Sequence, residues 1–147
     1  MEDDARRQHI RGLFEQLIAA YGSKDFETFA RFVDPDALFE WPYLPLKEFP
    51  TTMKGRDAFI ETSKTGMANS DGYNHKVDRF YDQLDPNTLI VEYHSDSVVK
   101  PSGDRYANTY LGILRFEGDL VVYWKEYVNP LPILETYGNF VNEAASS

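Results

Sequence analysis

Ile10, Leu13, Phe14, Leu17, Ile18 and Tyr21 recur at the spacing that puts apolar side chains on one face of a helix. Gly22 follows where a C-terminal glycine would end it. Asp25 can cap a second, shorter helix with the stripe Phe26, Phe29, Ala30 and Val33, closed by Asp34-Pro35-Asp36. Ala37 to Trp41 reads as a strand stopped by Pro42. From Tyr43 to Met53, Pro45 and Pro50 interrupt the apolar residues Tyr43, Leu44, Leu46 and Phe49. The expectation is a loop, long for a compact domain and suited to a lid or pocket rim. Gly55-Arg56-Asp57 opens a third helix running to about Ala68, with Phe59, Ile60 and Met67 inward.

From Lys76 onward the period changes to two. Strands are predicted over residues 76–83 and 88–100, with turns at Asp85-Pro-Asn87 and Pro101-Ser-Gly-Asp104. A long hairpin follows from Arg105 to Pro130, turning at Glu117-Gly118-Asp119, and residues 133–140 read as a short docked tail. Helices first and a strand meander afterwards define an α+β fold, three N-terminal helices packed on a curved antiparallel sheet. The whole chain, 1–147, is expected to form a single domain with an ordered core of about 5–140.

In the last strand Leu120, Val122, Trp124 and Val128 share a face with one carboxylate, Glu126. Side chains alternate along a strand, so Glu126 projects with the apolar set. A buried carboxylate costs several kcal/mol unless partnered, and its pKa rises, which makes it usable as an acid–base group near neutrality. A sheet-edge salt bridge or a bulge turning it outward is the bland alternative. If the loop holds three residues, Tyr110 lies opposite Glu126 and Gly112 opposite Trp124, so Tyr106, Asn108 and Tyr110 share the Glu126 face. A two-residue loop flips the face and puts Thr109, Leu111 and Ile113 there. In the first register Tyr and Asn are donors to a carbonyl or oxyanion.

On the preceding strand Glu92, His94 and Asp96 alternate with Val91, Tyr93, Ser95 and Ser97. They form either a solvated sheet face or an acid–base cluster beside Glu126, with His94 catalytic and Asp96 in contact with substrate. A metal held by this set is a weak third option. His9 and His75 have no evident partners.

A net charge of −9 argues against nucleic acid and anionic membrane surfaces. No apolar run approaches the ~20 residues of a membrane span, and the Met-Glu-Asp-Asp start lacks the core of a secretory signal. The absence of cysteine removes disulfides, thiolate metal sites and thiol nucleophiles. A cytoplasmic protein is expected. Ten Tyr and ten Phe suit an amphipathic pocket as well as a plain core. No nucleotide-binding glycine loop, nucleophile elbow or zinc signature is present.

The element order, Gly55-Arg56-Asp57 and the Leu114-Arg-Phe-Glu-Gly-Asp-Leu-Val ending resemble the NTF2-like superfamily. Within its SnoaL-like branch the chain most resembles the phenazine-biosynthesis A/B proteins, through Asp85-Pro86-Asn87, Val91-Glu92, Tyr106-x-Asn108 and Lys125-Glu126-Tyr127-x-Asn129-Pro130. The resemblance implies a cone-shaped pocket between helices and sheet, with Glu126 as acid–base residue and Tyr106 lining the cavity. Because it puts Tyr106 and Glu126 inside together, it favours the first register. It also implies a homodimer through the sheet face. The chain departs from the pattern at Thr62, where those proteins carry a His. Ketosteroid isomerases place a base Asp where this chain has Trp41, and a Tyr where it has Leu17.

The expectation is a cofactor-independent enzyme of isomerase, cyclase, dehydratase or condensing type acting on a hydrophobic, oxygenated small molecule. Glu126 is its acid/base. Asn108, Tyr110, Trp124, Tyr21 and Trp41 join the substrate contacts, and the 43–49 loop closes over them. A non-catalytic binder with the same pocket is the alternative, favoured by Thr62. An NTF2-like interaction module is the third, and it predicts a small, filled cavity with an exposed apolar sheet face. No metal or cofactor is expected.

Overall fold

The computed structural model describes residues 2–136. Helix α1 (Glu2–Gly22) buries Ile10, Leu13, Phe14, Leu17 and Ile18, the predicted stripe. Asp25 caps the short α2 (Phe26–Ala30) by accepting from Thr28 N. Strand β1 (Val33–Glu40) follows, then β2 (Thr52–Lys54) and α3 (Arg56–Gly66). Strands β3 (Lys76–Asp82), β4 (Thr88–Val99), β5 (Asp104–Glu117) and β6 (Leu120–Val128) complete a six-stranded sheet ordered β2-β1-β6-β5-β4-β3. Residues 130–136 are helical, and Ile133 is buried. The rest of the predicted tail, 137–140, lies outside the described residues.

The α+β architecture and its NTF2-like form are as expected, with three corrections. The sheet is mixed rather than antiparallel, because β1 runs parallel to β6, with Phe39 beside Trp124 and Glu40 beside Lys125. The segment read as a loop ends in a strand, since Thr52, Met53 and Lys54 pair antiparallel with Glu40, Phe39 and Leu38. Strand β1 also begins earlier than predicted: Asp34-Pro35-Asp36 lies inside it, where the register shifts between Val33 and Leu38.

The β5–β6 hairpin differs from the expected register. Glu117 pairs with Leu120 around the two-residue loop Gly118-Asp119. That spacing alone would flip every side chain. A register shift between Arg115 and Phe116 restores the parity, so Gly112 faces Glu126 and Leu114 faces Trp124. From Trp124 to Val128 the predicted face is therefore the interior one, with its partners displaced by two residues, but before the shift Val121 is buried in place of Leu120 and Val122, which are only half-buried.

The sheet's inner face meets the helices through a continuous aromatic core. Phe39 and Phe59 stack at 4.1 Å and 4°, and Trp41 lies parallel to both. Phe14 packs at 5.3 Å on Tyr93 and edge-on to Trp124. Each ring removes a large apolar area from water, which makes this cluster the main source of cohesion.

Candidate functional site

Three strands and two helices converge on Glu126. Two residues before it Trp124 pairs with Phe39, so the parallel β1 carries its next residues forward and brings Trp41 alongside Glu126. Tyr21 arrives from α1 and Phe59 from α3. Together with Glu126 these five rings enclose a hollow of about 20 Å³. That is room for one water-sized group.

The Tyr93 hydroxyl on β4 donates to Glu126 Oε2, and Trp124 Nε1 donates to the same Tyr93 oxygen at 3.2 Å. The Trp41 indole also donates to Glu126. Burial is the dominant influence on this carboxyl and raises its pKa to about 7, with the Tyr93 and Trp41 hydrogen bonds pulling the other way. No cationic side chain among the described residues pairs with it. Burial together with the neighbouring Glu126 charge pushes Tyr93 well above the ordinary phenol value, so it remains a donor at neutral pH. A carboxyl half-ionised at neutrality can both give and take a proton.

The structure divides the predicted residues into three groups. Trp124, Tyr21 and Trp41 line the hollow with Glu126. Tyr106, Asn108 and Tyr110 share its sheet face and are buried, but lie outside the hollow. Tyr106 is six residues along β5 from Gly112, roughly 20 Å of strand, because the register moved by two. Their polar groups meet each other and nearby partners. Asn108 Nδ2 donates to Tyr106 Oη at 2.8 Å and to Asn129 O at 3.0 Å, and Tyr110 Oη lies 2.7 Å from Ser95 Oγ.

His94 and Asp96 form the third group, and here the acid–base cluster reading is corrected. Val91, Tyr93, Ser95 and Ser97 are the buried set, so Glu92, His94 and Asp96 face outward. His94 Nδ1 is 2.7 Å from Asp78, and Arg105 binds Asp96 through two bonds of 2.7 and 2.8 Å. A larger open groove of about 350 Å³ lies on this side, lined in part by His94, Asp96, Arg105 and Thr109. It is separated from Glu126 by the sheet. Among the described residues no group of three or more His, Cys, Asp or Glu could hold a metal ion.

The 43–49 segment does not close over the hollow as expected. Tyr43 is exposed and its ring meets Tyr127 at 5.1 Å, while Leu46 enters the core. Only Trp41, at the root of the segment, reaches the site. Thr62 is exposed on α3, with its hydroxyl 3.8 Å from Met53 Sδ.

Sequence reasoning missed Tyr93, Phe39, Phe59 and His75. Tyr93 was legible, since three ionisable residues on the even face of its strand imply an inward odd face. His75 was not. It lies buried, stacked on Tyr21 at 5.6 Å and edge-on to Tyr93 and Tyr110, with Nδ1 unpartnered. Burial pushes its pKa down to about 3, which keeps it neutral.

With this geometry in view, the comparisons place the chain. Residues 14–124 match the SnoaL-like domain, so the chain belongs to that family. The match ends two residues before Glu126. YesE of Bacillus subtilis, an uncharacterized protein, is 27% identical over 115 residues, 78% of each chain. The uncharacterized PhzA/B-like protein PA3332 of Pseudomonas aeruginosa is 29% identical over 104 residues, covering 71% of this chain and 72% of its own. A Bacillus subtilis protein provisionally named an isomerase superposes with a TM-score of 0.81 at 24% identity, covering 90% of this chain and 95% of that one. The fold is shared with solved proteins named for epoxide-hydrolase and polyketide-cyclase chemistry. No helix among the described residues is long and apolar enough to cross a membrane.

Proposed function

We propose that the protein is a cofactor-independent acid–base enzyme acting on a small, largely apolar substrate in an isomerase- or lyase-like reaction. Glu126 gives and takes the proton, Tyr93 and Trp41 hold its carboxylate, and Trp124, Tyr21 and Phe59 pack against the substrate. The observation that carries this is the carboxyl of a half-buried Glu126 ringed by aromatic side chains without a cation, its pKa raised into the neutral range by desolvation. The enzyme is expected to work in the cytoplasm as a homodimer through the outer sheet face, where Tyr123 and Tyr127 are only half-buried.

Glu126→Gln should preserve the fold and ligand affinity while lowering turnover by about 10²–10⁴-fold. The test is a panel of isomerisation, dehydration and cyclisation substrates, followed by both proteins on any substrate the wild type converts. Equal rates would remove Glu126 from the chemistry.

The small hollow favours a second reading, an NTF2-like interaction module. Against it, the β4–β5 part of the outer sheet face carries the exposed charges Glu92, Asp96 and Arg105, which confines the apolar surface to the β6 side with Tyr123 and Tyr127. A non-catalytic binder would keep the raised Glu126 pKa but convert none of the panel.

A further inference from the structure

The wall beside Glu126 is built of five aromatic rings and one carboxyl. Most of its hydrogen-bonding capacity is spent or absent. Phe39 and Phe59 have none, Trp124 Nε1 donates to Tyr93 Oη at 3.2 Å, and the Trp41 indole donates to Glu126. Two groups keep capacity in reserve. A carboxylate has about four lone-pair sites, and on Glu126 Tyr93 and Trp41 use two of them. The Tyr21 hydroxyl, 3.0 Å from Ser63 Oγ, combines one donor with two acceptor positions, and that contact takes only one of these. Tyr21 stays a phenol, because burial foremost, and the Glu126 charge to a lesser degree, raise its pKa.

We infer that the hollow is a site for one water molecule held between the Glu126 carboxyl and the Tyr21 hydroxyl, with Tyr21 the positioning residue that keeps it there. Size and chemistry agree. The hollow of about 20 Å³ clears the roughly 10–15 Å³ that one water requires, and two polar partners are the fewest that hold a buried water. A hard cation would need several oxygen ligands, and an anion would meet the carboxylate. This deepens the acid–base reading of the site and rests on it, since the water extends the reach of Glu126 by one hydrogen bond. The carboxyl gives its proton to the water while the water gives one of its own to the substrate, and the reverse transfer restores both. The reacting carbon then need not enter the hollow.

The test is a crystal structure at a resolution that shows ordered water, for the wild type, Tyr21→Phe and Ser63→Ala, with carboxyl NMR of Glu126 in each. The wild type should hold one water within about 2.5–3.0 Å of both Glu126 and Tyr21 Oη. Tyr21→Phe keeps the ring and its stacking on Phe59 but removes one of the two partners. The water should then leave, and Glu126 should become about a tenfold weaker acid. Ser63→Ala breaks the Tyr21–Ser63 bond and leaves the phenol, so the water and the midpoint should both stay. No water in the wild type, a water that persists in Tyr21→Phe, an unmoved midpoint there, or an equal shift in Ser63→Ala overturns the inference. A wild-type midpoint near 7 without the water removes the water assignment alone. An ordinary carboxylate midpoint removes the acid–base reading beneath it, and the inference with it.

Discussion

The Tyr93 hydroxyl reaches Glu126 across an intervening strand, passing over the bare Cα of Gly112. Gly112 sits on β5 beside Val91 and opposite Glu126, and a Cβ there would lie 3.1 Å from Tyr93 Cε1 and 3.2 Å from Trp124 Nε1. The missing side chain is what allows the phenol and the indole to meet the carboxyl.

Gly112→Ala should therefore disturb the site before it disturbs the fold. Pushing Tyr93 and Trp124 aside in a dense aromatic core is expected to cost about 1–3 kcal/mol. Chemical denaturation reads the cost, and the Glu126 carboxyl resonance reads the lost hydrogen bond. An unperturbed resonance would show that the phenol does not need the gap.

Removing the phenol itself isolates its influence. Tyr93→Phe deletes a hydrogen bond that lowers the Glu126 pKa, so the midpoint should climb above about 7. Trp124 N–H also loses its partner, at about 1–3 kcal/mol. A midpoint that stays still or falls would mean that Tyr93 does not stabilise the carboxylate.

Stability should vary with pH through the same group. The folded pKa of Glu126 is raised from 4.5 to about 7, so between these values the native state holds a proton that the unfolded state has released. Glu126 then favours the fold fully below about pH 4.5, and its contribution fades as pH rises through about 7, by roughly 3 kcal/mol. Urea unfolding across this range should show the decline, and Glu126→Gln should flatten that component.

His94→Ala and Asp96→Asn provide the opposite control. Both side chains are on the outer sheet face in ion pairs with Asp78 and Arg105. Neither change should move the Glu126 midpoint or any turnover that depends on it. A shift of the midpoint in the His94 variant would place the imidazole in electrical contact with the interior.

Shortening the aromatic wall should be costly. Phe59 stacks on Phe39 and Tyr21, so Phe59→Ala is expected to destabilise by about 3–5 kcal/mol and to enlarge the hollow. Thermal unfolding measures the first, and uptake of a larger aromatic probe the second.

Local patterning determined much of this protein. The i, i+3, i+4 stripe of α1, the Asp25 cap, the period-two strands and the inward face of Glu126 each depend on neighbours a few residues away, and such signals survive in a linear reading. Alternation alone left two faces open for β5, and the family resemblance, which puts Tyr106 inside with Glu126, selected the one on which Tyr106, Asn108 and Tyr110 are buried.

Tertiary structure decided which of these residues meet. The hairpin's two-residue loop and compensating bulge slid β5 by two positions, leaving Gly112 rather than Tyr110 opposite Glu126. The parallel pairing of β1 with β6 brought Trp41 to the carboxyl from some eighty residues away, which no periodicity encodes. Alternation assigned Glu92, His94 and Asp96 to one side of β4 and their charge already favoured solvent, and the packing of Phe14 of α1 on Tyr93 fixed that side as the outer one. A side chain's face follows from its own strand. Its partners follow from register and strand order, which are set by the whole sheet closing on one aromatic core.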